Sequence, residues 1–214
     1  QNLQSLAKHY AYQIAHSALP ERLQALLKQQ FKPEENELSP RQATQMLLED
    51  IITLSQWRRH SMSENPDPIL AFGGLGGVIL EGEPGIGKSE LIHQVLKKRP
   101  AKHKPNICSI PISMQEEDRK ALLVKAFNEG QIVLIDEINS SSSLEHLLNS
   151  LLMGKTIEGQ RPGHPGFFII ATQNPITMAG RRAPSTALAR RMILQKLMPF
   201  TKPEMLEVLT QKGL

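Results

Sequence analysis

GEPGIGKSE, residues 82–90, stands directly behind the apolar run Gly77-Val78-Ile79-Leu80. Three glycines, a proline, a lysine and a serine crowd the turn between a predicted strand and a predicted helix. Ordering glycine costs backbone entropy, so such a cluster marks a loop whose amides must approach something closely.

Gly82-Glu83-Pro84-Gly85-Ile86-Gly87-Lys88-Ser89 is a complete G-x-x-x-x-G-K-S, a P-loop. In it the glycines turn successive N–H groups toward phosphate oxygens, and the following helix adds its positive N-terminal end. Lys88 is expected to reach the β- and γ-phosphates of ATP, and the Ser89 hydroxyl to coordinate Mg²⁺. A flexible glycine turn is the bland alternative, and the strand-then-helix context argues against it.

Two later stretches extend that chemistry. Ile132-Val133-Leu134-Ile135-Asp136-Glu137 reads as a strand buried on both faces, delivering two carboxylates at its carboxyl end. Ligands bind along that edge in open α/β sheets. Asp136 is the candidate Mg²⁺ holder, directly or through water. Glu137 is the candidate base for the water attacking the γ-phosphate. Phe167-Phe168-Ile169-Ile170-Ala171-Thr172-Gln173-Asn174-Pro175 is a second buried strand, ending in a polar amide before a proline. Asn174 can hydrogen-bond both the lytic water and a γ-phosphate oxygen, although an Asn-Pro after a strand is in itself only a turn.

A fourth stretch, Gly180 to Met192, carries Arg181, Arg182, Arg190 and Arg191. These form either a solvated helix face or a source of one guanidinium for a phosphate held by a neighbouring subunit.

GEPGIGKS, LIDEIN, the His164-Pro165 lead into FFIIATQNP, and GRRAPSTALARRM, in this order, resemble the AAA+ ATPases. The likeness is to the branch of MoxR-type, midasin and dynein-related modules, and it spans residues 70 to 200. It implies ATP or ADP with magnesium, hydrolysis coupled to remodelling of a protein partner or complex, and a homo-oligomeric ring or an intrachain array of ATPase modules. By that likeness Asn174 takes the role of the family's first sensor. Arg191 falls where a serine-arginine-phenylalanine element carries the finger. Arg190 and Met192 replace that serine and phenylalanine here, so Arg190 or the Arg181-Arg182 pair remains open for the finger. PISMQEEDRK, residues 111–120, has no aromatic side chain, so the likeness does not extend to peptide threading. The chain stops at Leu214, as TKPEMLEVLTQKGL begins a first lid helix. The expected fold is therefore a three-layer αβα P-loop NTPase with a central, mostly parallel five-stranded sheet, a preceding helical segment and a truncated lid.

Composition sets bounds around this reading. The chain has 214 residues, 40% hydrophobic and 21% charged, with a 4% aromatic share that points to an aliphatic core. No apolar run reaches the ~20 residues that span a bilayer. The first residue is Gln1 rather than Met, as expected of an excerpt or a processed chain. One cysteine, Cys108, precludes an internal disulfide and fits a reducing compartment such as the cytoplasm, where it is expected to be a small buried strand residue. A net charge of +4 does not argue for nucleic acid. The basic run KKRPAKHK, residues 97–104, lacks interleaved aromatics to stack on bases and suits a helix C-terminus. Seven histidines without ligand spacing argue against zinc.

The chain divides into a helical N-terminal segment, 1–62, a nucleotide-binding core, 63–200, and the start of a lid or extension, 201–214. Residues 1–31 read as helix with a break near Leu19-Pro20. Ser39-Pro40-Arg41-Gln42 then opens a second helix, with Ser39 as cap and Gln42 reaching back, running to about Arg59. The segment is read as a helical adaptor on the core, with partner docking as the alternative. Strands are expected at 77–81, 106–112, 131–135, 167–172 and 192–198. Helices are expected near 88–98, 116–128, 143–153 and 185–191. Leu144, Leu147, Leu148, Leu151 and Leu152 share one helical face, a core stripe, and the serine patch 140–143 is read as that helix's cap. Beside hydrolysis stands a second function, a nucleotide-binding scaffold or assembly module with little or no turnover. Other P-loop classes fit least: a transporter ATPase needs a serine-glycine-glycine-glutamine signature before the Asp-Glu strand, which is absent, and a nucleotide kinase does not usually place Glu directly after the strand's Asp.

Overall fold

The structure, a computed structural model, describes residues 39–61, 75–99, 105–111, 113–140, 143–175, 177, 183 and 185–211. The expected helix at 1–31, Arg181, Arg182 and part of the basic run lie outside these residues. The chain separates into two compact units, Gln1–Ala43 and Thr44–Leu214.

Ser39 and Gln42 form the expected reciprocal cap. Ser39 N donates to Gln42 Oε1 at 2.9 Å, and Gln42 N to Ser39 Oγ at 3.3 Å. Helix α1, Pro40–Ser61, follows. The second unit then alternates strand and helix: β1 Gly77–Glu81, α2 Lys88–Lys97, β2 Ile107–Ile110, α3 Glu116–Asn128 and β3 Ile132–Ile135. After a short 3₁₀ turn, Ile138–Ser140, come α4 Ser143–Leu152, β4 Phe168–Gln173, α5 Thr186–Ala189, β5 Met192–Lys196 and α6 Lys202–Gln211. Every expected strand forms, within two residues at its ends.

All pairings are parallel, in the order β2-β3-β4-β1-β5. Parallel strands need helical crossovers, which cover both faces of the sheet and explain why β4 is buried at all six positions. Alternate side chains face opposite ways. Ile79, Val133, Ile135, Ile169 and Ala171 join Leu123 and Phe127 of α3 and the α4 leucine stripe in one core, with Cys108 buried at its margin. The rings of Phe127 and Phe167 meet edge to face at 5.3 Å. On the other face, Val78, Leu80, Phe168 and Ile170 are equally buried, and the Arg58 guanidinium of α1 lies 4.7 Å from the Phe168 ring centroid. Leu47, Leu48, Ile51 and Ile52 of α1 are almost wholly buried. Arg99, just past α2, ties that helix to α1 through Glu49 O at 2.6 Å, Thr53 Oγ1 at 2.9 Å and Gln56 Oε1 at 2.9 Å. Helices on both faces of a parallel sheet make the three-layer αβα architecture.

Candidate functional site

The order β3-β4-β1 sets three strand ends side by side, and the site grows from them. Glu81 closes β1 opposite Gln173 of β4, and Gln173 Nε2 donates to Glu81 Oε2 at 2.7 Å. Gly82 N donates to Gln173 O at 3.3 Å, so the glycine loop leaves the sheet tied to β4. A Cβ on Gly82 would collide with Ile86 Cδ1 and stand 2.9 Å from Leu197 O, which accounts for the first glycine of the motif.

Gly87 caps α2 in a left-handed conformation, φ +82°, with no side-chain cap. The first intrahelical donor is Leu91 N, to Gly87 O at 3.0 Å, so the amides of residues 88–90 precede the ladder. Such an end suits an anion.

Lys88 turns back over the loop. Its ammonium donates to Gly82 O at 2.6 Å, Glu83 O at 3.0 Å and Asn174 Oδ1 at 3.0 Å, which engages all three of its protons. The residue is only 8% exposed. Burial pushes its pKa down, against the opposing pull of Glu137, Asp136 and Glu83. Asn174 Nδ2 donates onward to Glu137 Oε1 at 3.0 Å. A lysine that only donates and a carboxylate that only accepts leave the Asn174 amide one orientation. Asn139 Nδ2 holds the Asn174 carbonyl at 3.0 Å.

Asp136 Oδ1 accepts from Thr172 Oγ1 at 2.6 Å and from Ser89 Oγ at 3.4 Å. Glu137 N donates to Thr172 Oγ1 at 3.1 Å. Glu137, at φ +50°, is the one non-glycine residue with positive φ among the described residues. The structure therefore gathers Lys88, Ser89, Asp136, Glu137 and Asn174 into one bonded cluster.

Arg191 does not join it. Its Nη1 donates to Ala187 O at 2.7 Å, within its own turn, and Arg190 is exposed. Helix α5, which leads to both, is anchored to α4: Ser185 N donates to Glu145 Oε1 at 2.5 Å, and Ser185 Oγ caps Leu188 N at 3.2 Å.

Thr172, Asn139 and the Glu81–Gln173 pair escape the sequence reading. One signal was available for Thr172: in a strand, residues i and i+2 share a face. Thr172 thus belongs on the side of Asn174, and Gln173 on the side that meets Glu81.

A nucleotide fits these residues. Gly85 sits at φ +81° with open space where a Cβ would stand, the helix end has no side-chain cap, and Ser89 and Asp136 offer only hard oxygen donors, suited to Mg²⁺. Among the described residues no group of three or more His, Cys, Asp or Glu could hold a metal ion by itself. Magnesium here would draw most of its ligands from phosphate and water.

A parallel αβα sheet with a glycine loop between its first strand and the next helix defines the P-loop ATPase class of fold. Within that class the chain belongs to the AAA domain family of the dynein-related subfamily, whose profile matches residues 77–192, more than half of the 214 residues. Midasin from Giardia intestinalis is 31% identical over 159 residues, 64% of this chain but 3% of that protein. The chain is thus a small fraction of that relative's length. Among solved structures, Cdc6p from Pyrobaculum aerophilum aligns with a TM-score of 0.51 at 16% identity, over 85% of this chain and 51% of that one. A chain of the HORMA:CdnC:Trip13 complex from E. coli MS115-1 aligns with a TM-score of 0.49 at 15% identity, over 82% and 71% of the two chains. No helix among the described residues is long and apolar enough to cross a membrane.

Proposed function

We propose that this chain is the nucleotide module of a remodelling ATPase. It binds ATP with magnesium, hydrolyses it, and passes the resulting motion to a protein partner or complex, within a ring or an array of such modules in a longer protein. The observation that carries the reading is the bonded path from Lys88 through Asn174 to Glu137, beside the Ser89–Asp136 contact.

In this reading the amides around Gly85 and Gly87 and the ammonium of Lys88 hold the phosphates. Asn174 senses the terminal phosphate and orients Glu137, whose carboxylate takes the proton of the attacking water. Ser89 and Asp136 hold magnesium, which supplies charge neutralisation across the phosphates. Arg191, Arg190 or the Arg181-Arg182 pair serves a neighbouring module's site. The Arg191 bond to Ala187 O favours a second reading, nucleotide-driven assembly with little hydrolysis, because the guanidinium is engaged within its own chain.

Removing a positioned general base costs about 10²–10⁴ in rate. Glu137→Gln is expected to lower phosphate release by that factor while ATP is retained, and Lys88→Ala to lose ATP at least about tenfold. Phosphate release and nucleotide titration on the longer protein check both. Undiminished hydrolysis by the glutamine variant would overturn the role given to Glu137, whereas ATP binding without turnover in the unaltered protein favours the assembly module.

A further inference from the structure

Thr172 is buried in the most central of the strands, 3% exposed, yet it ends in a hydroxyl. We propose that this hydroxyl is the positioning group for both carboxylates of the site, fixing Asp136 by its side chain and Glu137 by its backbone. The proposal rests on the ATPase reading and deepens it.

The hydroxyl has one proton and two lone pairs. An ionised carboxylate only accepts, so the proton goes to Asp136 Oδ1, and the 2.6 Å separation is that of an O–H···O⁻ bond. A lone pair is then left for Glu137 N–H, at 3.1 Å. Because each neighbour can play only one part, the polarity is forced. The strand register brings this about: Ile135 pairs with Ala171, so Asp136 emerges beside Thr172. Asp136 Oδ1, which also accepts from Ser89, is thereby held toward the protein, leaving Oδ2 for an ion or its water. Glu137 is kept at φ +50°, a strained conformation for a non-glycine residue, which sets the direction of its side chain toward Asn174 Nδ2. A valine would fill the same space with neither bond. Serine would keep both.

The test compares Thr172→Val with Thr172→Ser by two readouts. Amide hydrogen exchange at Glu137 in the ligand-free protein is expected to accelerate about tenfold or more in the valine variant and to stay near wild type in the serine variant. In ADP titrations, the magnesium concentration for half-maximal binding is expected to rise roughly 10–100-fold for valine. Affinity in chelator is expected to be unchanged, and serine to restore the wild-type magnesium dependence. Wild-type exchange at Glu137 in the valine variant overturns the proposal, as does a serine variant that fails along with it. A wild-type protein that bound no ADP would sink the ATPase reading instead, and Glu137 exchange would then decide the positioning role alone.

Discussion

At the amino ends of the strands, the side chains of α1 reach backbone carbonyls, whereas at the carboxyl ends side chains bond one another as well as carbonyls. On the first edge, Ser55 Oγ donates to Gly166 O at 2.5 Å, Arg59 Nη1 to Glu129 O at 2.8 Å and Arg58 Nη1 to Leu75 O at 3.4 Å. The Arg58 guanidinium also lies on the Phe168 ring, a contact worth about 0.5–2 kcal/mol. Carbonyls of the main chain stay where the strands and their lead-ins place them, so the acceptors on this edge do not move with a rotamer. On the second edge, Lys88, Asn174 and Glu137 are joined side chain to side chain, links that a rotamer change can rearrange, while Thr172 holds Asp136 and the Glu137 amide. The acceptors of one edge are backbone, and the Lys88–Asn174–Glu137 links of the other are side chain on both sides. A phosphate oxygen can take the place of Asn174 Oδ1 at the Lys88 ammonium, whereas Ser55 Oγ is buried against Gly166 O.

Two glycines sharpen the contrast, and the largest expected effect belongs to the first. Gly130, at φ +60° before β3, would press a Cβ into Pro165 O, with His164 O 2.9 Å away. Both obstacles are backbone, and left-handed strain adds about 1–2 kcal/mol to the overlap. Gly130→Ala is therefore expected to lose about 3 kcal/mol or more in a denaturant titration. Gly85, at φ +81° in the loop, has nothing within 4 Å of the place a Cβ would take. Gly85→Ala should cost only the strain, about 1–2 kcal/mol. Equal losses in the two variants would mean that the loop is packed as tightly as the amino edge, and the distinction between the edges would fall.

How much of this was legible in the sequence divides along the same line. The strands were, because burial on both faces produces unbroken apolar runs such as Ile132–Ile135 and Phe168–Ala171 that read without knowledge of their neighbours. The loop was legible too, since left-handed positions at Gly85 and Gly87 demand residues of one type. The Ser39–Gln42 cap is local and was read in full. What could not be read depends on strand order. Gln173 meets Glu81, and Thr172 meets Asp136, only because β4 lies between β3 and β1. Nothing local distinguishes that order from its permutations. Likewise the bonds of Arg58 and Arg59 at the amino edge follow from the packing of α1 and leave no local pattern. For Arg191 the sequence leaves a solvated face and a finger for a neighbour both open, and its bond to Ala187 O belongs to a turn too short to leave a pattern.

The smallest expected effect separates the edges by pH. Burial lowers the pKa of both Arg58 and Lys88. A guanidinium stays protonated regardless, so the amino edge should not titrate. Lys88 differs. With its folded pKa below the ordinary 10.5, there is a window in which the folded chain has released a proton that the unfolded chain still holds. Unfolding then takes up a proton, so stability rises with pH through that window and the penalty of burying the charge is fully present below it. The gain is limited to about 1.4 kcal/mol for each unit by which the pKa is depressed. Lys88→Met removes the titrating group, so the wild type should gain stability relative to this variant as pH climbs toward 10.5, while Arg58→Met should run parallel to wild type. A wild-type curve that instead falls relative to Lys88→Met would mean that the carbonyls, Asn174 and the nearby carboxylates outweigh burial. The lysine would then be anchored as firmly as the arginines at the other end of the sheet.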